Sequence, residues 1–81
     1  MRLTAEKVGE FVKTARQQMG VTQRTLALTS GTGLRFIIEL EKGKPTCQLG
    51  KVLAVINTLG IDVALKLPST GKATERGPSR E

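Results

Sequence analysis

The chain holds few groups able to make or break bonds. Among its 81 residues there is no histidine and one cysteine, Cys47. No nucleophile stands near a base, no His, Cys, Asp and Glu cluster has metal-ligand spacing, and no glycine-rich loop is shaped to cradle a phosphate. No enzyme, no cofactor and no metal centre is expected. A lone thiol permits no intrachain disulfide, which suits a reducing cytoplasm. Cys47 reads as a small buried hydrophobe at a helix start, with a thiol activated by the helix N-terminus as the alternative.

What remains is the chemistry of charge recognition. Thirteen Lys and Arg against seven Asp and Glu leave a formal net charge of +6. That balance suits a polyanion, nucleic acid first and a membrane surface second, or it serves solubility alone. No apolar run is long enough to span a bilayer and no signal-peptide core opens the chain, so no membrane partner is expected and the location is cytoplasmic, on the nucleoid. The groups able to meet DNA gather between Thr22 and Thr46. Arg35 carries a planar fork that matches the O6/N7 edge of guanine, or it clamps a phosphate. Leu34 and Ile38 suit thymine methyl groups or a protein partner. Glu39 either accepts from a cytosine N4 amine or shapes selectivity by repulsion. Thr22, Gln23, Arg24, Lys44 and Thr46 are candidate phosphate neighbours, which position a protein on DNA without reading its sequence. Lys13 and Lys51 read as solvated surface.

These side chains need elements to hold them. Thr22 is a good N-cap for a short helix in which Leu26, Ala27 and Ser30 face inward and which Gly31 ends sharply with a left-handed or close-approach backbone. A second helix starts near Gly33 or Leu34 and runs to Lys42. Gly43 is its stop, and Pro45 forbids a restart there. Phe36, Ile37 and Leu40 are its core positions, leaving Leu34, Arg35, Ile38 and Glu39 to face out. Two such helices across a glycine turn make a helix-turn-helix, with the second helix entering the major groove by its N-terminal half.

The flanking segments supply the scaffold. Thr4 caps a helix over about Ala5 to Met19, with an apolar stripe of Val8, Phe11, Val12, Ala15 and Met19. Arg16 and Glu41 fall at the ends of the first and third helices, where an ion pair would tie the two together structurally. Thr46 caps a fourth helix over about Gln48 to Leu59, with a stripe of Leu49, Val52, Leu53, Ile56 and Leu59 and a stop at Gly60. From Ile61 the period becomes two: Ile61, Val63, Leu65 and Leu67 alternate with Asp62, Ala64 and Lys66 up to Pro68, which reads as a strand. A lone strand has unpaired ladder groups, and the simplest remedy is an antiparallel pair with a second copy about a two-fold axis. The alternative is extended chain packed on its own domain. The scarcity of aromatic residues and the short chain also favour a dimer that shares its core. Residues 1–67 form the domain, and 68–81, without periodicity and rich in Gly, Pro, Ser and charge, should be a disordered tail.

Arg16, Gly20-Val-Thr-Gln23, Leu26-Ala27, Gly31, Ile37, Leu40-Glu41 and Gly43-Lys-Pro-Thr46 together resemble the Cro/C1-type (XRE) helix-turn-helix family over about Val8 to Leu59. The resemblance implies an all-α, lambda-repressor-like DNA-binding domain, dimeric operator binding and an Arg16–Glu41 salt bridge. It also implies a phosphate contact at Gln23 and base reading at Leu34, Arg35 and Glu39. Glu39-Leu-Glu-Lys-Gly-Lys-Pro-Thr46, a helix ending Leu59-Gly60 and the strand after it are similar to the HipB-type antitoxins. There the strand pairs across a homodimer that represses its own operon and binds a HipA-type Ser/Thr kinase toxin. The chain departs from the family at Gly33, where Ser or Thr is usual, and at Leu34 and Ile38, where polar residues are usual. The function expected is a dimeric DNA-binding repressor and HipB-like antitoxin. A stand-alone phage-type repressor and a protein-interaction module without strong DNA readout are the alternatives.

Overall fold

The structure is a computed structural model, and it describes residues 2–65, 67 and 68. The expected tail disorder lies outside these residues except for Pro68, as does Lys66 of the expected strand. Four helices form among the described residues: α1 (Ala5–Gln18), α2 (Gln23–Ser30), α3 (Leu34–Glu41) and α4 (Leu49–Leu59). The fold is all-α. None of these helices is long and apolar enough to cross a membrane.

Each helix boundary has a local cause. Thr4 Oγ1 accepts from the Lys7 amide at 3.1 Å, and Thr22 Oγ1 accepts from the Thr25 amide at 3.0 Å, so both satisfy an orphan donor of a first turn. Gly31 and Gly60 end α2 and α4 at φ 73° and 72°, a conformation L side chains rarely adopt. One expected cap is corrected. α4 begins at Leu49 after Gln48, not under Thr46, and no side chain caps it. Thr46 is exposed, while Cys47 is half-buried against the core.

The core is small and aliphatic: Val12, Leu26, Ala27, Ile37, Leu40, Val55 and Leu59 are buried, with Val8, Ala15, Val21, Phe36, Val52 and Ile61 packed around them. Two of the expected stripes are rotated. On α1, Phe11 and Met19 are exposed and Gly9 is buried instead. Phe11 lies at the edge of its stripe, and Met19 is already the C-cap. The face that packs is centred nearer Gly9 because a glycine there lets the end of α3 approach: a Cβ would collide with the Leu40 carbonyl oxygen and stand 3.0 Å from that of Glu41. On α4 the buried face centres on Val55, and Leu49 and Leu53 turn to solvent. That helix is apolar over more than half its circumference, so its period alone does not select a face.

Ile61 turns back onto the core, its amide donating to the Ile56 carbonyl at 3.1 Å. Beyond it, Val63, Leu65 and Leu67 are exposed, and residues 61–65 pair with no strand among the described residues of the single chain.

Candidate nucleic-acid interface

The turn between α2 and α3 is fixed by short polar contacts. Ser30 Oγ donates to the Leu26 carbonyl at 2.7 Å and lies 2.9 Å from Thr32 Oγ1. Gly33, at φ −114° and ψ 157°, precedes α3 without contributing a side-chain cap. Ile37 and Leu40 anchor α3 in the core, with Phe36 half-buried beside them. Burying that face turns the opposite one outward. Arg35, with 87% of its side chain exposed, stands furthest into solvent, while Leu34, Ile38 and Glu39 are half-buried around it.

A single polar knot holds this pair of helices to the scaffold. Arg16 Nε donates to Glu41 Oε2 at 2.6 Å and Arg16 Nη2 to Glu41 Oε1 at 3.1 Å, a two-pronged pair. Arg16 Nη1 donates to the Val21 carbonyl at 2.9 Å. Gln23 Nε2 adds a bond to Glu41 Oε1 at 3.1 Å. The two charged side chains are only 12% and 4% exposed. The end of α1, the loop before α2, the first residue of α2 and the last residue of α3 thus meet around one ion pair, Val21 at the Arg16 guanidinium and Gln23 at the Glu41 carboxylate. Gln23 is half-buried and tied into the knot, so its backbone and amide are held in place at the start of α2. The sequence offered Gln23 as a phosphate neighbour, but its link to Glu41 spans 18 residues and has no local signal.

A second charged cluster lies on the outer face. Glu39 Oε1 accepts from Lys44 Nζ at 3.0 Å, and Glu39 Oε2 stands 3.7 Å from Arg35 Nη1. The Lys44 hydrogen bond, against an opposing effect of desolvation and reinforced by the charges of Lys44 and Arg35, lowers the Glu39 pKa. A lowered carboxyl pKa means that the charge, and both ion pairs, are present at neutral pH and vanish only on acidification past that lowered value. The Arg35–Glu39 spacing of four residues is legible in the sequence; the return of Lys44 across Gly43 is not.

Of the other candidates, Thr22 spends its hydroxyl on capping α2 and on Thr25 Oγ1 at 3.1 Å. Arg24 and Thr46 are exposed, and among the described residues no side-chain hydrogen bond or ion pair joins either to the rest. Lys51 is exposed, with Nζ 5.8 Å from the centre of the Phe36 ring. Among the described residues no group of three or more His, Cys, Asp and Glu could hold a metal ion.

No protein-family model matches the chain. It is 45% identical over 65 residues to the uncharacterised HTH-type transcriptional regulator y4mF of Sinorhizobium fredii, a match that covers 80% of this chain and 86% of that one. Among solved structures it is similar to the clp gene regulator ClgR from C. glutamicum, with a TM-score of 0.67 and 31% identity, covering 76% of this chain and 80% of that one. A chain of the HipA-HipB-O2-O3 complex and one of the HipB-O4 20mer complex each give a TM-score of 0.74 at 22% identity, covering 85% of this chain and 97% of theirs. At that identity the likeness concerns the fold.

Proposed function

The chain belongs to the HTH-type transcriptional regulators, and on that premise we propose that it is a dimeric, sequence-specific repressor that binds a palindromic operator and acts as a HipB-like antitoxin. In this role it represses its own operon and binds a HipA-type Ser/Thr kinase toxin. The observation that carries the DNA-binding part is the outward face of α3, where Arg35 projects from a helix locked at both ends by the core and the Arg16–Glu41 knot. Arg35 reads a base edge, Leu34 and Ile38 contact apolar base surface, and Gln23, Thr22, Arg24, Lys44 and Thr46 lie against phosphates.

The dimer is supported by apolar surface that one copy does not cover. Leu49, Leu53, Val63, Leu65 and Leu67 are exposed on α4 and the segment after it. Two copies pairing residues 61–67 about a two-fold axis would cover this surface and set the two α3 helices about 34 Å apart, one turn of DNA. The toxin partner is supported by the shared fold with a chain of a complex that contains HipA. A second reading, a stand-alone repressor without a toxin, is favoured by the higher identity to ClgR.

A gel shift with the promoter upstream of the gene tests the first part. The expected result is a shift at low salt that weakens steeply as salt rises. Absence of a shift with folded dimeric protein refutes it. Co-expression with the neighbouring gene separates the two readings: a co-purifying kinase supports the antitoxin, and its absence the stand-alone repressor.

A further inference from the structure

Arg35 on the outer face of α3 and Lys44 just beyond its end are both engaged by one carboxylate. Glu39 meets Lys44 through Oε1 and Arg35 through Oε2. The arrangement rests on the backbone as well as on side chains. Gly43, at φ 87°, turns the chain back over the end of α3, and the Lys44 amide donates to the Glu39 carbonyl at 3.1 Å. Lys44 is therefore pinned beside Glu39 whatever its side chain does. Exposed ion pairs of this kind contribute little to stability and break readily when a stronger partner arrives.

DNA offers such partners. With α3 in the major groove, phosphates compete for Lys44 and a guanine edge or a phosphate competes for Arg35. Either exchange leaves the Glu39 carboxylate without its cations, inside a groove lined with phosphates and base acceptors. Most base edges there repel it: guanine N7 and O6, adenine N7 and thymine O4 are acceptors. On its major-groove edge cytosine presents the N4 amine donor with no acceptor of its own beside it, whereas the adenine amine sits next to N7. We propose that Glu39 is a specificity-determining residue, holding Arg35 and Lys44 in the unbound protein and releasing them to DNA where a cytosine amine takes over its carboxylate. The proposal rests on the DNA-binding reading above.

The test compares the wild-type protein, Glu39→Gln and Lys44→Gln against one pool of random duplexes, together with salt titrations on an unselected duplex. Wild type should enrich cytosine at one position in each half-site. Glu39→Gln should lose that enrichment and bind the unselected duplex roughly tenfold more tightly, because an acid facing phosphates has been removed. Its log–log salt slope should steepen by about 0.9 for each phosphate newly engaged. Lys44→Gln should keep the cytosine and weaken binding to all sequences alike. A Glu39→Gln protein that retains the cytosine preference, or that binds the unselected duplex no more tightly than wild type, overturns the proposal while leaving the DNA-binding reading intact. Wild type that is folded and dimeric yet binds no duplex at low salt overturns both.

Discussion

Glu41 is the residue on which side-chain bonds from α1 and α2 converge. It accepts from Arg16 and Gln23 while only 4% of its side chain is exposed. Removing one partner of such a pair leaves the other buried and uncompensated. Glu41→Ala is therefore expected to cost about 3 kcal/mol in a urea melt, whereas replacing both Arg16 and Glu41 by apolar residues of similar volume should cost clearly less. Equal losses in the single and double variants would assign the loss to packing instead. Gly9 stands at a second contact between α1 and α3. A glycine in mid-helix ordinarily weakens the helix; here it lies directly against the end of α3. Gly9→Ala gains helix propensity and still should destabilise by about 2 kcal/mol, since the atoms in its way are backbone carbonyls that have little room to move. The Arg16–Glu41 pairing was legible from family resemblance and helix ends. The Gly9 contact was not, because close approach between two helices leaves no mark on either one alone.

Helix boundaries follow from single residues and were readable for that reason. Thr4, Thr22, Gly31 and Gly60 each act within a few residues of themselves. Faces depend on neighbours. α3 carries Arg35 and Glu39 together on one side, so Ile37 and Leu40 opposite them identify its inner side before any partner helix is known, although Leu34 and Ile38 widen its apolar arc. α4 is apolar on too many sides, and only packing against α1 and α2 selects Val55 over Leu53. Thr46 failed as a cap because helix start and chain entry are set together by Cys47 packing inward two residues before Leu49. α3 itself begins weakly. Gly33 has extended backbone angles that any residue adopts, open space around it and no hydroxyl. Gly33→Ser is accordingly expected to stabilise the domain by roughly 0.5 kcal/mol, from a new cap bond and a less flexible unfolded chain. A thermal melt should show the rise, and a fall would mean that this glycine is needed for the turn itself.

At the scale of the whole molecule, the described residues of the single chain leave much apolar surface uncovered. Among them the buried core has seven hydrophobic side chains, and the exposed large hydrophobics include five in residues 49–67. If a second copy covers that region, disruption should fall on association before it falls on folding. The choice of variant decides whether this can be read. Deleting residues 61–67 removes Ile61, which packs on the core and whose amide bonds the end of α4, so monomer stability would fall as well. Val63→Pro leaves Ile61 in place and removes an amide at an exposed position. It should give monomers by light scattering with a nearly unchanged melting profile at high dilution, and operator binding weakened at least tenfold because two half-sites are no longer held together. Leu53→Glu should do the same through α4, placing two charges in the apolar contact. A Val63→Pro protein that remains dimeric places the two-fold contact away from residues 61–67. Loss of folding in dilute Leu53→Glu would mean that α4 needs this side chain within one copy, despite its exposure there.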